Sequence, residues 1–469
     1  MLKFFKSIEK TLIFVIKGLM FIGLFLAFFL PYVPQVPQLI AFSRIAAIPM
    51  SSFAILGICF IKIYGGFAIG VKKSREIIYS VMLAAAITDV ITYLQLSIMI
   101  KSFANFYYLL LAMVAQYIVI YVATRFGNFI YFAINQPAKC VVVYSDESMV
   151  PQYLRKIGRY KRQWVVKDVV HYSNEDVKAL IRHNDTVFFF DTPRNVRSEL
   201  IEYCYKHNKN IFASPDVADV VIKYSDHVLL DDMTVFGSLV GDLTFEQKLI
   251  KRAFDVILSG IGLIVASPIM LAEVIAIKLC DKGPVLFKQA RLTKGGREFN
   301  VLKFRTMVVD AEKQDVAVLS SKHDSRVTPV GRVLRATRID ELPQLINIFR
   351  GDMSIVGPRP ERASIAEEYE KDLPEFRYRL KVKAGLTGLA QIMGKYNTTP
   401  KDKLTLDLVY IEQYSIWLDL KIMLQTAKVL FKSDSTEGFD EDDKIEFVKH
   451  EAGQPPEIEL EEENDESGI

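Results

Sequence analysis

Cysteine is scarce in this 469-residue sequence, and the four cysteines stand far apart. They form no CxxC pair and have no histidine cluster beside them. A disulfide framework or a zinc site needs cysteines grouped in such a way. We therefore predict reduced cysteines that serve only in packing, and expect neither a disulfide scaffold nor a zinc centre.

Two further signatures are missing. The opening MLKFFKSIEK is basic, but the apolar run after it has no small-residue cleavage site, which predicts an uncleaved membrane anchor. After the strand-like CVVVY the chain continues as YSDESM, where a dinucleotide-binding domain would have GxGxxG. A dinucleotide site is therefore not expected there.

The net charge of only +3 hides a separation of charge along the chain. Basic residues crowd between Lys278 and Arg362, and acidic residues dominate from Glu437 onward. Beside so much apolar sequence, the basic stretch favours a membrane surface or a phosphorylated substrate over nucleic acid. We expect no nucleic-acid partner, and we predict that the acidic tail, residues 433–469, is disordered or loosely docked.

Four apolar segments lie before Pro137, each near the length of about 20 residues that spans a bilayer as a helix. They run from Leu12 to Val33, Ile45 to Ile61, Ile77 to Ile100 and Phe106 to Ala123. Lysine and arginine precede the first segment and separate the second from the third, which places both ends of the predicted bundle in the cytoplasm. Asp89 lies within the third segment, where it could mark a pathway or make a structural hydrogen bond. We favour the hydrogen bond.

Residues 137–240 change to short apolar strands that alternate with amphipathic helices. The strand-like runs are CVVVY, TVFFFD, NIFAS and HVLLDD. This alternation predicts a small parallel α/β sheet. Without the glycine-rich turn, we interpret it as a degenerate Rossmann-like module with a structural or regulatory role.

A further membrane element follows. Leu243 to Arg252 has the pattern of an amphipathic helix, and it leads into the apolar stretch from Ala253 to Leu279. Ser267 and Pro268 stand at the centre of that stretch, where proline removes a backbone donor. A crossing would put the basic region beyond it outside the cell, against the charge rule. We predict a bent, re-entrant helix, and a Pro-kinked crossing is the alternative.

The residues from Gly283 to Lys395 combine adjacent carboxylates with many cations, as phosphoryl transfer requires. Asp340 can attack phosphorus as a nucleophile, and Glu341 can move a proton or help to hold a divalent ion. The apolar LPQLINIF after them places the pair at a helix N-terminus, where anions are stabilised. A capping role for Asp340 is the alternative reading.

Five cations are candidates for phosphate binding. Arg335 and Arg338 precede the carboxylates by one or two turns, and Arg359 lies between two prolines that fix its backbone. For the first two, binding of lipid headgroups is the alternative. Lys303 and Arg305 alternate along a predicted strand and so share one face, which fits a phosphate site or a solvated surface equally well.

These residues belong to motifs in a recognisable order, namely KRAFDVILSGIGLIVASP, GPVLFKQARLTKGG, KFRTM, DELPQL, GDMSIVGPRP and KAGLTGLAQIMG. The sequence from Lys251 to about Leu430 resembles the bacterial sugar transferases, the monotopic phosphoglycosyl transferases. The four spans and the Rossmann-like module ahead of it resemble their large subgroup. The resemblance implies a membrane protein of class α and α/β with a four-helix transmembrane bundle (1–136), the α/β module (137–240), a re-entrant-helix catalytic domain (241–432) and the acidic tail.

The resemblance also implies a reaction. A sugar-1-phosphate would pass from a UDP-sugar to polyprenyl (undecaprenyl) phosphate with release of UMP, as the first membrane step of exopolysaccharide, capsule or O-antigen synthesis. Asp340 would be the nucleophile with Mg²⁺ near it, Glu341 would assist by deprotonating the lipid phosphate, and Ser267-Pro268 would break the re-entrant helix. The catalytic domain would lie on the cytoplasmic face of the bacterial inner membrane.

Two alternative functions predict different sequence features. A membrane-anchored nucleotide-sugar dehydratase would need a GxGxxG turn and a Tyr-x-x-x-Lys pair, and the nearest glycine pair, Gly260 and Gly262, lies in apolar sequence. A non-enzymatic scaffold for polysaccharide export would not need the clustered arginines and the carboxylate pair. The sugar is left open, and a homo-oligomer is among the assemblies that the sequence allows.

Overall fold

The computed structural model describes residues 2–36, 39, 43–238, 243–281, 283–308, 326–394 and 398–430. The predicted acidic tail lies outside these residues. The chain divides between Ser214 and Pro215 into two compact units. The first contains apolar helices and an α/β module, and the second contains the basic and acidic motifs described above.

The first unit begins with four long apolar helices, α1 (Leu2–Tyr32), α2 (Arg44–Tyr64), α3 (Ser74–Met99) and α4 (Phe106–Ile134). Their centre is aromatic, with Phe28 and Tyr32 of α1 packed around Phe53 of α2. Large apolar side chains cover the outside, as expected for helices surrounded by lipid. Each helix covers one of the four predicted apolar segments to within one residue, and each is long and apolar enough to cross a membrane.

Asp89 is fully buried among these helices. The Gln116 side-chain amide donates a hydrogen bond to Asp89 Oδ1 at 3.1 Å and a second one to the Leu24 carbonyl at 3.2 Å. The interaction ties α1, α3 and α4 together. The predicted structural hydrogen bond of Asp89 is therefore confirmed.

The α/β module follows with β1 (Ala138–Tyr144), α5 (Val150–Gly158), β2 (Trp164–His171), α6 (Val177–His183), β3 (Thr186–Phe190), α7 (Arg194–Lys206) and β4 (Asn210–Ala213). The strands form a parallel sheet in the order β2-β1-β3-β4. In the turn after β1, the Asp146 carboxylate accepts hydrogen bonds from the Ser148 amide and hydroxyl at 2.9 and 2.7 Å. A dinucleotide phosphate would bind backbone amides of this turn, and here the Asp146 carboxylate accepts from the Ser148 amide.

One predicted strand of this sheet was wrong and another was missed. HVLLDD forms β5 (Asp226–Leu230), which pairs antiparallel with β6 (Met233–Gly237) in a separate hairpin. The second strand of the parallel sheet is instead WVVKDVVH, whose central lysine and aspartate interrupt the apolar run that we required of a strand. An edge strand is open to solvent along one side, so it tolerates such charges.

The second unit begins with α8 (Val217–Lys223), β5 and β6. Its remaining elements are α9 (Phe245–Asp281), β7 (Leu286–Leu292), β8 (Glu298–Phe304), α10 (Pro329–Thr337), α11 (Gln344–Arg350), β9 (Ser354–Val356), α12 (Ala363–Asp372), β10 (Gly385–Thr387), α13 (Leu389–Met393), α14 (Pro400–Glu412) and α15 (Ile416–Leu430). Val220 of α8 packs with Phe376 and with Leu404 and Leu408 of α14. Residues 215–238, which we assigned to the α/β module from the sequence, therefore have their core in the second unit.

Helix α9 joins the predicted amphipathic helix and the predicted membrane element into one helix of 37 residues. It remains helical across Pro268, and the Ser267 hydroxyl donates to the Ile264 carbonyl at 2.7 Å within the same helix. Five helices of the described chain, α9 among them, are long and apolar enough to cross a membrane. The expected combination of α and α/β parts is confirmed, the long apolar helices are compatible with a membrane protein, and the re-entrant course of α9 stays a prediction.

Candidate active site

The Asp340-Glu341 pair lies in a short 3₁₀ turn, Ile339–Glu341, between α10 and α11. Arg338 ends α10 in the left-handed conformation, with φ of 56°, and so turns the chain sharply into this 3₁₀ segment. Pro343 then precedes the first residue of α11. The pair therefore lies one turn ahead of α11. The sequence had suggested a position at the N-terminus of that helix.

A buried asparagine fixes α11 against β8. The Asn347 side chain accepts a hydrogen bond from the Leu302 amide at 3.0 Å and donates one to the Asn300 carbonyl at 2.8 Å. It therefore takes the place of a neighbouring strand at the edge of the β7–β8 hairpin. Because Lys303 follows Leu302 and Glu341 lies just before α11, this contact sets the distance between those two charged residues.

Glu341 binds two cations at once. Its Oε1 atom lies 2.8 Å from Lys303 Nζ and 3.4 Å from Arg359 Nη2. Burial alone would raise the pKa of Glu341, but the charges of Arg359 and Lys303 outweigh that effect and lower it to about 2. Glu341 is thus ionised at neutral pH, and in this arrangement it is a weak base.

Asp340 differs from its neighbour. Its side chain is half-buried, and within the part of the chain that the structure describes, no hydrogen bond or ion pair engages its carboxylate. Burial and the charge of Glu341 raise its pKa above the ordinary value, against the opposing charges of nearby cations. Among the described residues, none therefore competes for the Asp340 carboxylate.

Arg335 and Arg338 act electrostatically on Asp340. Both charges lower the pKa of Asp340, which places them close enough to neutralise an anion bound there. Arg335 Nε donates a hydrogen bond to the Thr306 hydroxyl at 2.9 Å. Helix α10 can approach this threonine because Gly331 has no side chain, since a Cβ there would lie 2.0 Å from the Thr306 carbonyl oxygen.

Four of the five predicted cations therefore surround the carboxylates, and Arg305 does not. Strand β8 ends at Phe304, one residue before Arg305, so the expected alternation of Lys303 and Arg305 on one strand face was wrong. The Arg305 side chain is buried and packs against Gly283, where a Cβ would lie 1.9 Å from its Nη1 atom. The largest charge effects on the pKa of the two carboxyls come from other residues.

The Pro-Arg-Pro segment, residues 358–360, is held by its carbonyl groups. The three carbonyls accept hydrogen bonds in order from the Gly385 amide at 2.9 Å, from Arg379 Nη2 at 2.8 Å and from Arg291 Nη1 at 3.3 Å. Prolines have no amide hydrogen, so a segment of this kind can be anchored mainly through its oxygens. The anchors fix the backbone from which Arg359 reaches Glu341.

Buried ion pairs that were not predicted from the sequence connect the elements around this site. Arg379 and Asp407 form an ion pair of 2.8 Å, and both are almost fully buried. Lys251 of α9 pairs with Asp419 of α15 at 2.7 Å. One signal for Asp407 was available, because it shares the buried face of α14 with Leu404 and Leu408, where a charge needs a partner.

Asp340 is also the one side chain of the site that fits a magnesium ion. Within the described ranges, no three His, Cys, Asp or Glu residues form a group that could hold a metal. Magnesium is commonly bound by one or two carboxylates together with phosphates of the substrate. The Asp340 carboxylate, which has no ion-pair partner among the described residues, matches such a ligand, whereas Glu341 is already bound by two cations.

Asp340, for which the described residues provide no hydrogen-bond or ion-pair partner, and four nearby cations form a site suited to anionic phosphate groups. The family model of the bacterial sugar transferases matches residues 246–433, which include every one of these side chains. A UDP-glucose:undecaprenyl-phosphate glucose-1-phosphate transferase of Caulobacter vibrioides is 43% identical over 190 residues, which are 39% of this chain and 71% of that protein. The chain therefore belongs to the bacterial sugar transferase family, whose members are phosphoglycosyl transferases.

Two longer relatives show variation in the sugar. A UDP-glucose:undecaprenyl-phosphate glucose-1-phosphate transferase of Klebsiella pneumoniae is 45% identical over 45% of this chain and 47% of its own length. A UDP-N-acetylgalactosamine-undecaprenyl-phosphate N-acetylgalactosaminephosphotransferase of Aeromonas hydrophila is 41% identical over 39% of this chain and 43% of its own length. The matched part thus spans about half the length of these two relatives.

Proposed function

We propose that this protein transfers a sugar-1-phosphate from a UDP-sugar to undecaprenyl phosphate and releases UMP. The supporting observation is the asymmetry of the carboxylate pair. Asp340 has no partner within the described chain, while its neighbour Glu341 holds Lys303 and Arg359 in place. The relatives carry such activities in their names, with glucose or N-acetylgalactosamine as the sugar.

In the first step, an Asp340 oxygen attacks the phosphorus that bears the sugar. The bond from that phosphorus to the bridging oxygen breaks, and its electron pair leaves with UMP. The product is an acyl phosphate between Asp340 and the sugar phosphate, which divides a difficult transfer into two steps. Arg335, Arg338, Lys303 and Arg359 would stabilise the negative charge that develops on the phosphate oxygens.

In the second step, an oxygen of undecaprenyl phosphate attacks the same phosphorus and displaces Asp340. We assign Glu341 the removal of a proton from the lipid phosphate, although two cations keep its pKa at about 2 before substrate binds. Phosphate groups compete for the same Lys303 and Arg359. Once they draw these cations away, the pKa of Glu341 rises and the carboxylate becomes a stronger base.

Magnesium would be held by Asp340 and by the phosphates of the substrate. When bound, it would neutralise part of the diphosphate charge. Transfer of the phosphosugar depends on this chain's own groups, because Asp340 supplies the nucleophilic oxygen and the four cations orient the phosphates.

The contacts of α9 support a re-entrant placement. Arg252 near its start donates to the carbonyls of Ile348 and Phe349, both at 2.7 Å, and Ile277 near its end packs against Phe304. These contacts are 25 residues apart, or about 37 Å along a straight helix. If α9 crossed the bilayer, these two contacts would lie on opposite sides of a hydrocarbon core of about 30 Å, although both are made within one compact unit.

This placement puts the site at a membrane surface, where a water-soluble UDP-sugar and a lipid phosphate can meet. We propose that it is the cytoplasmic face of the bacterial inner membrane, because the distribution of lysine and arginine around the apolar segments predicts that orientation. The product there would be a lipid-linked sugar diphosphate, suited to begin an exopolysaccharide, capsule or O-antigen chain.

The first prediction tests the nucleophile. Asp340→Asn keeps the size of the side chain but removes its charge, so UMP release from a panel of UDP-sugars with undecaprenyl phosphate and magnesium should be abolished. Wild-type protein given the UDP-sugar without lipid should gain the mass of a sugar phosphate on the peptide that contains Asp340. Intact-protein and peptide mass spectrometry measure this adduct.

Asp352→Asn provides the control, since this carboxylate pairs with Arg297 at 3.6 Å, away from the Asp340-Glu341 pair. That variant should keep UMP release and the adduct. An adduct on another peptide, or full activity in Asp340→Asn, would show that the nucleophile is assigned wrongly.

A further inference from the structure

A buried cluster lies behind the Pro-Arg-Pro segment and does not face the carboxylate pair directly. Arg379 is 4% exposed, and its guanidinium packs over the Phe376 ring, 4.8 Å from the ring centre. Its Nη2 atom donates to the Arg359 carbonyl and lies 2.8 Å from Asp407 Oδ2. A single guanidinium thus connects α14 to the backbone of a cation in the site.

We infer that Arg379, held by Asp407, is a positioning residue that aims the Arg359 guanidinium at the phosphate-binding site. The inference rests on the proposed function. Arg359 reaches Glu341 at 3.4 Å from a segment whose flanking prolines cannot donate backbone hydrogen bonds. Its orientation therefore depends on what holds the carbonyls of residues 358–360.

Of the three donors to these carbonyls, Arg379 is the one that binds the carbonyl of Arg359 itself. The planar guanidinium has donors pointing in fixed directions, so it can engage a carbonyl and a carboxylate at once. Asp407 is 1% exposed, and burial raises its pKa to about 6 despite the opposing charge of Arg379. At neutral pH it is ionised and can hold Arg379 in one orientation.

Glu361 joins the same cluster from the other side. It lies 3.6 Å from Arg379 Nη1 and 3.7 Å from Arg291 Nη1, and its own carbonyl accepts from the Leu292 amide at 2.9 Å. The residue after the Pro-Arg-Pro segment is therefore anchored as firmly as the segment. A rigid backbone around Arg359 would be expected where a displacement of about 1 Å can reduce a rate by about 10²-fold.

A double-mutant cycle on the full-length protein tests the inference. We expect Arg379→Gln to lower kcat/KM for the UDP-sugar by about 10²-fold, and Arg379→Lys, which keeps the charge opposite Asp407, to have a smaller effect. In the Arg359→Gln background, either change should lower kcat/KM by less than about twofold further, because the group that Arg379 positions is already gone. UMP release measured at equal amounts of folded protein gives all values.

Arg197 is the matched control. It is a buried arginine of the α/β module, 4% exposed, that donates to the Ser214 carbonyl at 3.0 Å. The factor by which Arg359→Gln lowers kcat/KM should be the same with and without the Arg197→Gln change. If Arg379→Gln does not fold, the cycle with Arg379→Lys decides.

The opposite result is that the Arg379 variants lower kcat/KM by the same factor in the wild-type and Arg359→Gln backgrounds. That result would overturn the inference and leave Arg379 a purely structural residue. Unchanged kcat/KM in folded Arg379→Gln would overturn it as well. The failure of the proposed function would look different, since wild-type protein would then release no UMP from any UDP-sugar.

Discussion

At the scale of single residues, two adjacent carboxylates acquire opposite properties from their surroundings. Glu341 forms ion pairs with two cations, while Asp340 makes no hydrogen bond or ion pair with any of the described residues. The sequence alone does not show this difference between the two carboxylates. Their division into a nucleophile and a holder of cations follows from which oxygen atoms Lys303 and Arg359 can reach.

The low pKa of Glu341 makes a prediction about stability. In an unfolded chain this carboxyl titrates near its ordinary value, and in the folded protein its pKa is about 2, so the folded state binds fewer protons between these limits. The ionised Glu341 carboxylate can contribute about 3 kcal/mol to the free energy of unfolding. This contribution is fully present above the unfolded pKa and is lost as the pH falls toward 2. Glu341→Gln should therefore melt below wild type at pH 7, and the gap should narrow in acid.

Thermal unfolding of both proteins in detergent with a chelator, between about pH 7 and pH 3, measures that gap. Glu199→Gln is the control, because the Lys178–Glu199 pair is exposed and such pairs contribute little. A gap between wild type and Glu341→Gln that stays constant through the acid range would contradict the inferred pKa.

At the scale of elements, one asparagine decides how α11 meets the β7–β8 hairpin. Asn347→Leu keeps a similar volume but leaves the Leu302 amide and the Asn300 carbonyl without their partner. Each buried group left unsatisfied costs about 1–3 kcal/mol. We expect a lower melting temperature and, because Lys303 loses its register with Glu341, lower UMP release per folded molecule.

Asn184→Leu separates the two effects. Asn184 is a buried asparagine of the α/β module that donates to Asp168 at 2.6 Å and to the Leu180 carbonyl at 3.0 Å. It should lower the melting temperature without changing UMP release per folded molecule. Equal effects of the two variants on activity would show that Asn347 does not set the geometry of the site.

At the scale of the whole molecule, the re-entrant placement of α9 makes a prediction about sidedness. Single cysteines at the exposed positions Ser173 and Asn300, in a chain with Cys59 and Cys280 replaced by alanine, should both react with an impermeant thiol reagent only from the cytoplasmic side. The buried Cys140 and Cys204 serve as an internal control, since they should stay unlabelled in folded protein. Labelling of the two introduced cysteines from opposite sides would establish a crossing.

The sequence by itself determined the elements whose signal is local. Apolar runs of sufficient length give the membrane helices, because a helix satisfies its own backbone hydrogen bonds in lipid. Spacing placed Asp340 and Glu341 before a helix, and the motif order led to the family. Where context mattered, local reading was wrong, as with HVLLDD, which has the composition of a buried strand and pairs in a separate hairpin.

Tertiary structure alone decided the electrostatics and the supports of the site. Arg305 follows Lys303 by two residues yet packs against Gly283, because β8 ends between them. Arg379 and Asp407 meet across 28 positions of sequence, and their pairing brings a guanidinium to the Arg359 carbonyl. Such contacts depend on which elements pack against each other, and the periodicity of a single element does not predict them.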